Sequence, residues 1–209
     1  MFTPQRPRLD LLIASALVLY LELVCIRWFP AHVVFLTFFT NTVLLGSFLG
    51  MSVGCLAASQ KTDLIRWSPG LIALGMALAL ITEGGANFFQ RVLDVGNRAS
   101  PQLVYFGTEY HFNDLSGFFI PVEAFNALFF FLIALSLTGP GQEMGRALNH
   151  VPNRIEAYSI SIAGSLGGIA LFAVCSTFEL SPFWWFLLVA MGLGYFVAAD
   201  RTASRREIR

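Results

Sequence analysis

The chain has 209 residues, of which 56% are hydrophobic and 12% are charged, and its formal net charge is zero. A soluble domain of this size needs roughly twice that charged fraction to cover its surface, so the composition excludes an ordinary soluble globule. The balanced charge, without a lysine- or arginine-rich stripe, excludes nucleic acid as a partner. The hydrophobic residues form runs of the length that crosses a bilayer, about 20 residues each. We therefore predict an all-α integral membrane protein whose main partner is the lipid bilayer.

Six apolar runs predict six transmembrane helices. The first run continues past Glu22 without a small-residue cleavage site, so we interpret it as a retained helix rather than a cleaved signal. Pro30 marks a turn after it, Pro69 lies in the first turn of the third helix, and the segment 139–141 (GPG) is expected to stop the fourth. The predicted helices are 9–28, 33–58, 68–81, 117–137, 155–178 and 182–199, which gives a membrane domain of residues 1–199 and a basic tail of residues 200–209.

The basic residues indicate the orientation of the six helices. An even number of crossings places both termini on one face, together with ten of the thirteen lysines and arginines. Basic residues are enriched in cytoplasmic loops. We therefore predict a protein of the bacterial cytoplasmic (inner) membrane with both termini in the cytoplasm. The residues on that face are Arg6, Arg8, Lys61, Arg66, Arg146, Arg154, Arg201, Arg205, Arg206 and Arg209, and those on the other are Arg27, Arg91 and Arg98.

A long loop, residues 83–116, is predicted on the outer face. Within it, residues 87–95 carry apolar side chains along one side, which predicts a short helix lying at the membrane interface. Aromatic residues then lead the chain back into the membrane, as in an aromatic belt. Loops of this length are usually functional, so we expect a lid or a partner surface.

Two glycine stripes predict close helix packing. Gly46, Gly50 and Gly54 follow one another at a spacing of four in the second helix, and Gly164 and Gly168 do so in the fifth. Small residues in one stripe let two helix backbones approach closely in a membrane. Each stripe lies in the middle helix of a three-helix group, and the two groups enter from opposite sides, as in an inverted 3+3 repeat. A homodimer interface is the alternative use of these glycines, and an accidental match is the third interpretation.

Polar side chains collect in the outer third of the predicted helices. An ionisable residue inside a membrane helix is costly unless it is paired or hydrated. A cluster of carboxylates in a low-dielectric cleft attracts a cation or a proton, which makes a ligand site one hypothesis. The alternative is structural, with Glu22 paired to Arg27 and hydrogen-bonded by Asn41. The candidate ligand-binding residues are Glu22, Asn41, Glu123, Arg27 and Glu83.

Catalytic and metal-binding motifs are missing from the sequence. Cys25, Cys55 and Cys175 lie in apolar runs at spacings that match no zinc or disulfide pattern. The sequence has no Ser-His-Asp set, no phosphate-binding glycine loop and no zinc-protease motif. We therefore expect no cofactor, no metal and no enzymatic activity.

Several segments together resemble the membrane domain of bacterial spermidine synthase-like proteins. They are 21–23 (LEL), 27–30 (RWFP), 38–41 (FFTN), 48–50 (FLG), 54–57 (GCLA), 153–158 (NRIEAY), 164–167 (GSLG) and 182–185 (PFWW). The resemblance implies a fold like half of a major facilitator transporter. In that family a soluble aminopropyltransferase domain follows the membrane helices. The chain ends at Arg209 without that domain, so no catalytic residue is carried over, and the loop after Gly54 also lacks the Asp-Arg pair of the facilitators.

Two functions follow as expectations. The first is a non-catalytic membrane module or accessory subunit that assembles with other membrane protein subunits, a larger complex or a separately encoded aminopropyltransferase. The second is a small-cation or polyamine transporter that works as a homodimer of six-helix halves.

Overall fold

The computed structural model describes residues 6–33, 36, 40–85, 93–94 and 120–207. Within these residues the fold is helical. Two 3-10 turns, Ala57–Ser59 and Leu64–Arg66, lie between the second and third helices, and the strands β1 (Leu93–Asp94) and β2 (Ile120–Pro121) pair in parallel over two residues each. The long helices are α1 (Pro7–His32), α2 (Thr40–Leu56), α3 (Ser68–Gly84), α4 (Val122–His150), α5 (Arg154–Thr177) and α6 (Pro182–Glu207).

Five to six of these helices have the length and hydropathy of membrane spans. In the described part of the chain, five stretches meet both requirements and the sixth, Pro182–Ala198, is apolar but slightly shorter. This agrees with an α-helical membrane protein. The five longer stretches are Pro7–His32, Asn41–Ser59, Leu64–Gly84, Ala124–His150 and Arg154–Thr177.

The sequence predicted that the first helix ends at residue 28, before Pro30. The structure shows a longer helix. α1 continues through Pro30 to His32. Two bonds close its last turn: the backbone N–H of Val33 donates to the carbonyl of Phe29 at 2.9 Å, and His32 Nδ1 lies 2.9 Å from the carbonyl of Trp28. Pro30 has no backbone N–H of its own to donate, and these two bonds of neighbouring residues close the turn around it.

The second helix begins later than predicted. Val33 is extended, with φ −117° and ψ 96°, and α2 starts at Thr40 rather than at residue 33. Val33 ends α1, because its N–H still donates to Phe29 but its extended φ and ψ lie outside the helical region. With α2 spanning Thr40–Leu56, Asn41 lies in the first turn of α2 and not deep within it.

The prediction that residues 139–141 stop the fourth helix is wrong. α4 runs without interruption to His150, with Pro140 inside it. The two flanking glycines explain the sequence there: a Cβ atom on Gly139 would lie 2.7 Å from Ile65 Cα, and one on Gly141 would lie 2.7 Å from Met51 O. Glycine therefore allows α4 to touch neighbouring backbone, and tertiary packing overrides the weak helix propensity of this segment.

Three further boundaries differ from the sequence analysis. α4 begins at Val122, not at residue 117, so Glu123 lies in its first turn. Within the predicted interfacial helix 87–95, Leu93–Asp94 is extended and pairs with β2, and the rest of that segment lies outside the described residues. α6 continues to Glu207, so most of the predicted tail 200–209 extends the last helix.

The helices α1 and α4 form the centre of the fold. In each of them 61% of the membrane-length window is buried, against 17% in α5. The two central helices run antiparallel, since Phe29 near the end of α1 packs on Phe129 near the start of α4 with 5.9 Å between ring centroids. At the opposite end, Leu11 of α1 joins Ala147 of α4 in one buried apolar cluster.

Both glycine stripes pack against a central helix, as helix-packing residues should. A Cβ atom on Gly46 would lie 3.0 Å from the carbonyl oxygen of Phe130, and Gly50 and Gly54 approach the α4 backbone one and two turns further on. The stripe of α5 does the same on α1, where Gly164 and Gly168 lie against the carbonyls of Leu12 and Ala16. Close backbone approach of this kind stabilises helix pairs in membranes through dispersion and weak hydrogen bonds.

Candidate functional site

Among the predicted ligand-binding residues, the structure buries Glu22 deeply. Glu22 lies on the central helix α1 and is 4% exposed, whereas Asn41 is exposed at the start of α2. Arg27 is exposed on α1. Within the described residues no hydrogen bond or ion pair joins Glu22 to either of them, so neither the predicted cluster nor the predicted Glu22–Arg27 pair is seen there. Glu123 lies in the first turn of α4, and its side chain lies outside the described residues.

Glu83, the remaining candidate, faces a histidine at the same end of the bundle. Its Oε2 atom lies 3.9 Å from Nε2 of His32, and His32 stacks on Trp28 with ring centroids 4.2 Å apart. Phe186 of α6 contacts the same tryptophan edge to face at 5.4 Å. This end of α1 therefore meets α3 through the contact of His32 with Glu83, and it meets α6 through the aromatic contact of Trp28 with Phe186.

The best-ordered polar site lies at the other end, where α4 meets the turns after α2. Gln142 is fully buried and uses its whole amide there. Its Nε2 donates to the carbonyls of Ala57 at 2.9 Å and Thr62 at 2.8 Å, and its Oε1 accepts from the backbone N–H of Leu64 at 2.9 Å. The α2–α3 connection is thereby fixed to α4 without help from outside the chain.

Arg146, one turn after Gln142, completes the same site. Its Nη1 donates to Asp63 Oδ1 at 2.7 Å and to Glu143 Oε1 at 2.9 Å. Its remaining donors go to backbone carbonyls: Nε to Ala58 at 3.3 Å, and Nη2 to Gln60 at 2.9 Å and Thr62 at 3.1 Å. A guanidinium carries five N–H donors, and all five are used.

The charges of this site balance. The two negative charges are those of Asp63 and Glu143, which pair with Arg146. The two positive charges are those of Arg146 and Arg66, whose Nη2 lies 3.9 Å from Asp63 Oδ2. Because all five of its donors are used, the guanidinium of Arg146 offers none to a ligand. The arrangement clamps the connection between α2 and α3 to α4. We call Asp63, Gln142, Glu143 and Arg146 the α4 clamp.

Sequence reasoning missed the clamp because it ended the fourth helix before these residues. Arg146 was counted only as a basic residue on the predicted cytoplasmic face. The useful signal was local: Glu143 and Arg146 are three residues apart, and Gln142 and Arg146 four apart, so a continuing helix places all three on one side.

Two further polar contacts fasten outer helices to α1. Tyr195 of α6 donates its hydroxyl to Asp10 Oδ1 at 2.7 Å, and Asp10 is only 3% exposed. Arg8 pairs with Glu156 of α5 through two contacts of 2.8 and 3.2 Å. Both contacts lie at the end of the bundle where α1 begins.

Metal ligands do not gather in the part of the chain that the structure describes. There, no group of three or more histidine, cysteine, aspartate or glutamate side chains could hold a metal ion. Cys25, Cys55 and Cys175 are free thiols, and Cys25 and Cys175 are buried.

Comparison with known proteins adds no relative. No family model matches the chain, and neither a curated protein nor a solved structure matches it.

Proposed function

We propose that this chain is a non-catalytic integral membrane module of the bacterial inner membrane that assembles with another membrane protein. The observation that carries the proposal is the outward face of α5. This helix is the least covered of the five membrane-length stretches, although its glycine stripe already packs on α1.

A second row of small residues lies on that outward face. Ser159, Ala163 and Gly167 follow one another at a spacing of four and are all exposed, and nothing lies within 4 Å of a Cβ atom on Gly167. Large apolar side chains flank the row, including Ile162 and Leu166, each 61% exposed. Lipid tails need no such groove, whereas a partner helix can approach closely along small residues. The row therefore favours a transmembrane helix of another subunit.

The polar groups of the α4 clamp point to the same kind of function. They are used up in holding the α2–α3 connection to α4, so they serve the internal architecture and not a reaction. The resemblance to spermidine synthase-like membrane domains adds one specific partner, a separately encoded aminopropyltransferase.

We also infer that the six helices form an inverted 3+3 repeat. Gly46 of α2 lies against Phe130 of α4, and Gly164 of α5 lies against Leu12 of α1. The two glycines are 118 positions apart, and Phe130 and Leu12 are also 118 positions apart. Each middle helix thus packs, in the same register, on the first helix of the other half.

The contacts between α1 and α4 obey the same relation. Adding 118 to a residue number in the first half, or subtracting 118 from one in the second, gives the equivalent position in the other half. Phe29 and Phe129 then correspond to Ala147 and Leu11, and both pairs lie within buried parts of the α1–α4 contact. An accidental likeness of glycine-rich helices would not extend to the central pair. The repeat therefore supports a six-helix unit in which α1 and α4 are central and α2 and α5 are peripheral.

Site-specific photocrosslinking in native membranes tests the proposed assembly. A photoreactive residue at Gly167 should give one discrete adduct, and the same residue at Leu80, which is 50% exposed on α3, serves as the control. The mass of the adduct separates a heterologous subunit from a second copy of this 23.0 kDa chain. A chain that gives no adduct at Gly167 and purifies as a solitary monomer in mild detergent would contradict the proposal.

The second candidate is a small-cation or polyamine transporter built from two copies. The burial of Glu22 without a partner among the described residues favours it, since a charged group at that depth is usually functional. Uptake of Na⁺ or spermidine into proteoliposomes tests it. Transport that survives Glu22→Gln and Glu123→Gln would remove the carboxylates from the mechanism.

A further inference from the structure

The turn between α5 and α6 holds one residue in a conformation that its side chain disfavours. Glu179 has a φ of 50°, and within the described part of the chain it is the one residue other than glycine with a positive φ. In this left-handed conformation the Cβ atom lies too close to a carbonyl oxygen, which is unfavourable for every residue that has a Cβ atom. On structural grounds alone, the position favours glycine.

The hydrogen bonds at the end of α5 explain why the backbone adopts that conformation. The N–H of Glu179 donates to the carbonyl of Ser176 at 3.1 Å, and the N–H of Leu180 donates to the carbonyl of Cys175 at 3.0 Å. These two bonds form the Schellman motif that ends many helices, and its left-handed residue is usually glycine. A glutamate at this position weakens the fold, so the strained backbone points to a role of the side chain outside folding.

The residues around Glu179 in the chain form an exposed surface, which we call the α5–α6 tip and define as residues 177–184. All eight residues are exposed, and the aromatic side chains Phe178, Phe183 and Trp184 are 73%, 68% and 51% exposed. The carboxylate of Glu179 makes no hydrogen bond or ion pair with the described part of the chain. The tip therefore offers one carboxylate on a largely aromatic surface.

The tip continues the outward face of α5. From Gly167, the exposed positions Leu171, Val174 and Phe178 follow at spacings of four, three and four, which keeps them on one side of the helix. Phe178 and Glu179 therefore lie where the face with the small-residue row ends. A partner helix that packs along this row reaches the tip at its own outer end.

The charges at the two ends of this face argue against a second copy of the chain. α5 begins at the exposed Arg154 and ends two residues before Glu179. A two-fold dimer along α5 brings the same surface of both copies together, so Glu179 would meet Glu179 and Arg154 would meet Arg154. Like charges at an interface oppose pairing, whereas complementary charges select the partner. The face therefore fits a different chain with a positive charge level with the tip.

We propose that the α5–α6 tip binds a lysine or arginine side chain at the outer end of a transmembrane helix of a different subunit, with Glu179 as its ion-pair partner. The aromatic rings of the tip suit the same ligand, since a cation is attracted to the face of an aromatic ring. This inference rests on the proposed assembly and specifies its partner.

Photocrosslinking from the tip in native membranes provides the test. A photoreactive phenylalanine derivative in place of Phe178 should give the same heterologous adduct as a photoreactive residue at Gly167. Glu179→Asp and Glu179→Asn are the matched variants, because aspartate and asparagine both tolerate the left-handed conformation and differ mainly in charge. Glu179→Asp should keep the adduct, and Glu179→Asn should lower its yield about fivefold.

Glu179→Gly separates the interaction from stability. Glycine removes the backbone strain, so the melting temperature of the purified chain in detergent should rise by about 2–4 °C. The yield of the adduct should nevertheless fall as in Glu179→Asn. A melting temperature below that of the wild type would overturn the proposal, because the glutamate would then serve folding.

The remaining outcomes distinguish this inference from the assembly on which it rests. Equal adduct yields in Glu179→Asp and Glu179→Asn would overturn the ion pair, while an adduct at Gly167 would still support the assembly. An adduct of twice the 23.0 kDa of this chain, or one with lipid alone, would overturn the heterologous partner. The absence of any adduct at both Gly167 and Phe178 would contradict the assembly itself.

Discussion

The guanidinium of Arg146 lies 2.7 Å from the carboxylate of Asp63, which is 83 residues earlier in the chain. This contact joins α4 to the connection between α2 and α3, and both partners are largely buried: their side chains are 9% and 22% exposed. The three carbonyls and two carboxylates around Arg146 are arranged for the planar fork of a guanidinium, which an ammonium group cannot reproduce.

Arg146→Lys should therefore destabilise the fold although the charge is kept. Lysine has three donors for five acceptors, and leaving buried groups of an ion pair unpaired costs about 3 kcal/mol. The measurement is the melting temperature in detergent, followed by tryptophan fluorescence. Arg154→Lys, at an exposed arginine at the start of α5, is the matched control and should change little. Equal melting of the two variants would show that the clamp does not stabilise the bundle.

Substitutions of two adjacent glycines separate close packing from helix propensity. Gly168→Ala places a methyl group on the carbonyl of Ala16 and should destabilise the protein by about 1–3 kcal/mol. Gly167→Ala meets nothing within 4 Å and should be neutral or slightly stabilising, since alanine is the better helix former. If both variants melt alike, α5 does not pack on α1 through its glycine stripe.

The proposed repeat predicts an equal loss of stability when the corresponding glycine of the first three-helix group is replaced by alanine. Gly50→Ala places a methyl group on the carbonyl of Ala134, which corresponds to Ala16 after exchange of the halves. Its loss of stability should match that of Gly168→Ala within about 1 kcal/mol. A neutral Gly50→Ala beside a destabilising Gly168→Ala would count against an equivalent role of the two stripes.

The contact of Tyr195 with Asp10 predicts the effect of removing one hydroxyl. Tyr195→Phe leaves a buried carboxylate without its 2.7 Å donor, and hydrogen bonds to charged groups contribute about 1.5–3 kcal/mol. The variant should melt earlier than the wild type. Tyr158→Phe, at a tyrosine of α5 that is 59% exposed, removes the same atom and should have no effect. The opposite ranking would contradict the attachment of α6 to α1.

The sequence predicted well those helices whose ends are set by local chemistry. α5 differs from its prediction by one residue at each end, because Asn153 caps it: the Asn153 side chain accepts from the backbone N–H of Ile155 at 3.0 Å. α3 begins at the predicted Ser68, with Pro69 in its first turn. Both glycine stripes lie in close helix contacts, as their spacing predicted.

Other features depended on contacts that a single sequence does not display. Pro140 is a strong local stop signal, but the packing of Gly139 and Gly141 on other helices keeps α4 intact. The α4 clamp then lies in the extra turns, and its acceptors are mainly backbone carbonyls of another segment, which leave no mark in composition or spacing. Asn41 was placed too deep because the prediction began the second helix at residue 33, whereas α2 spans Thr40–Leu56.

The central claim is that six helices cross the membrane and return both termini to the cytoplasm, and the topology of single positions tests it most directly. Alkaline phosphatase and green fluorescent protein are fused after residues 62, 100, 152, 180 and 209, because each reporter is active on one side only. The six-helix account predicts active phosphatase at residues 100 and 180 and fluorescence at residues 62, 152 and 209. Finding residues 100 and 209 on the same side of the membrane would contradict it.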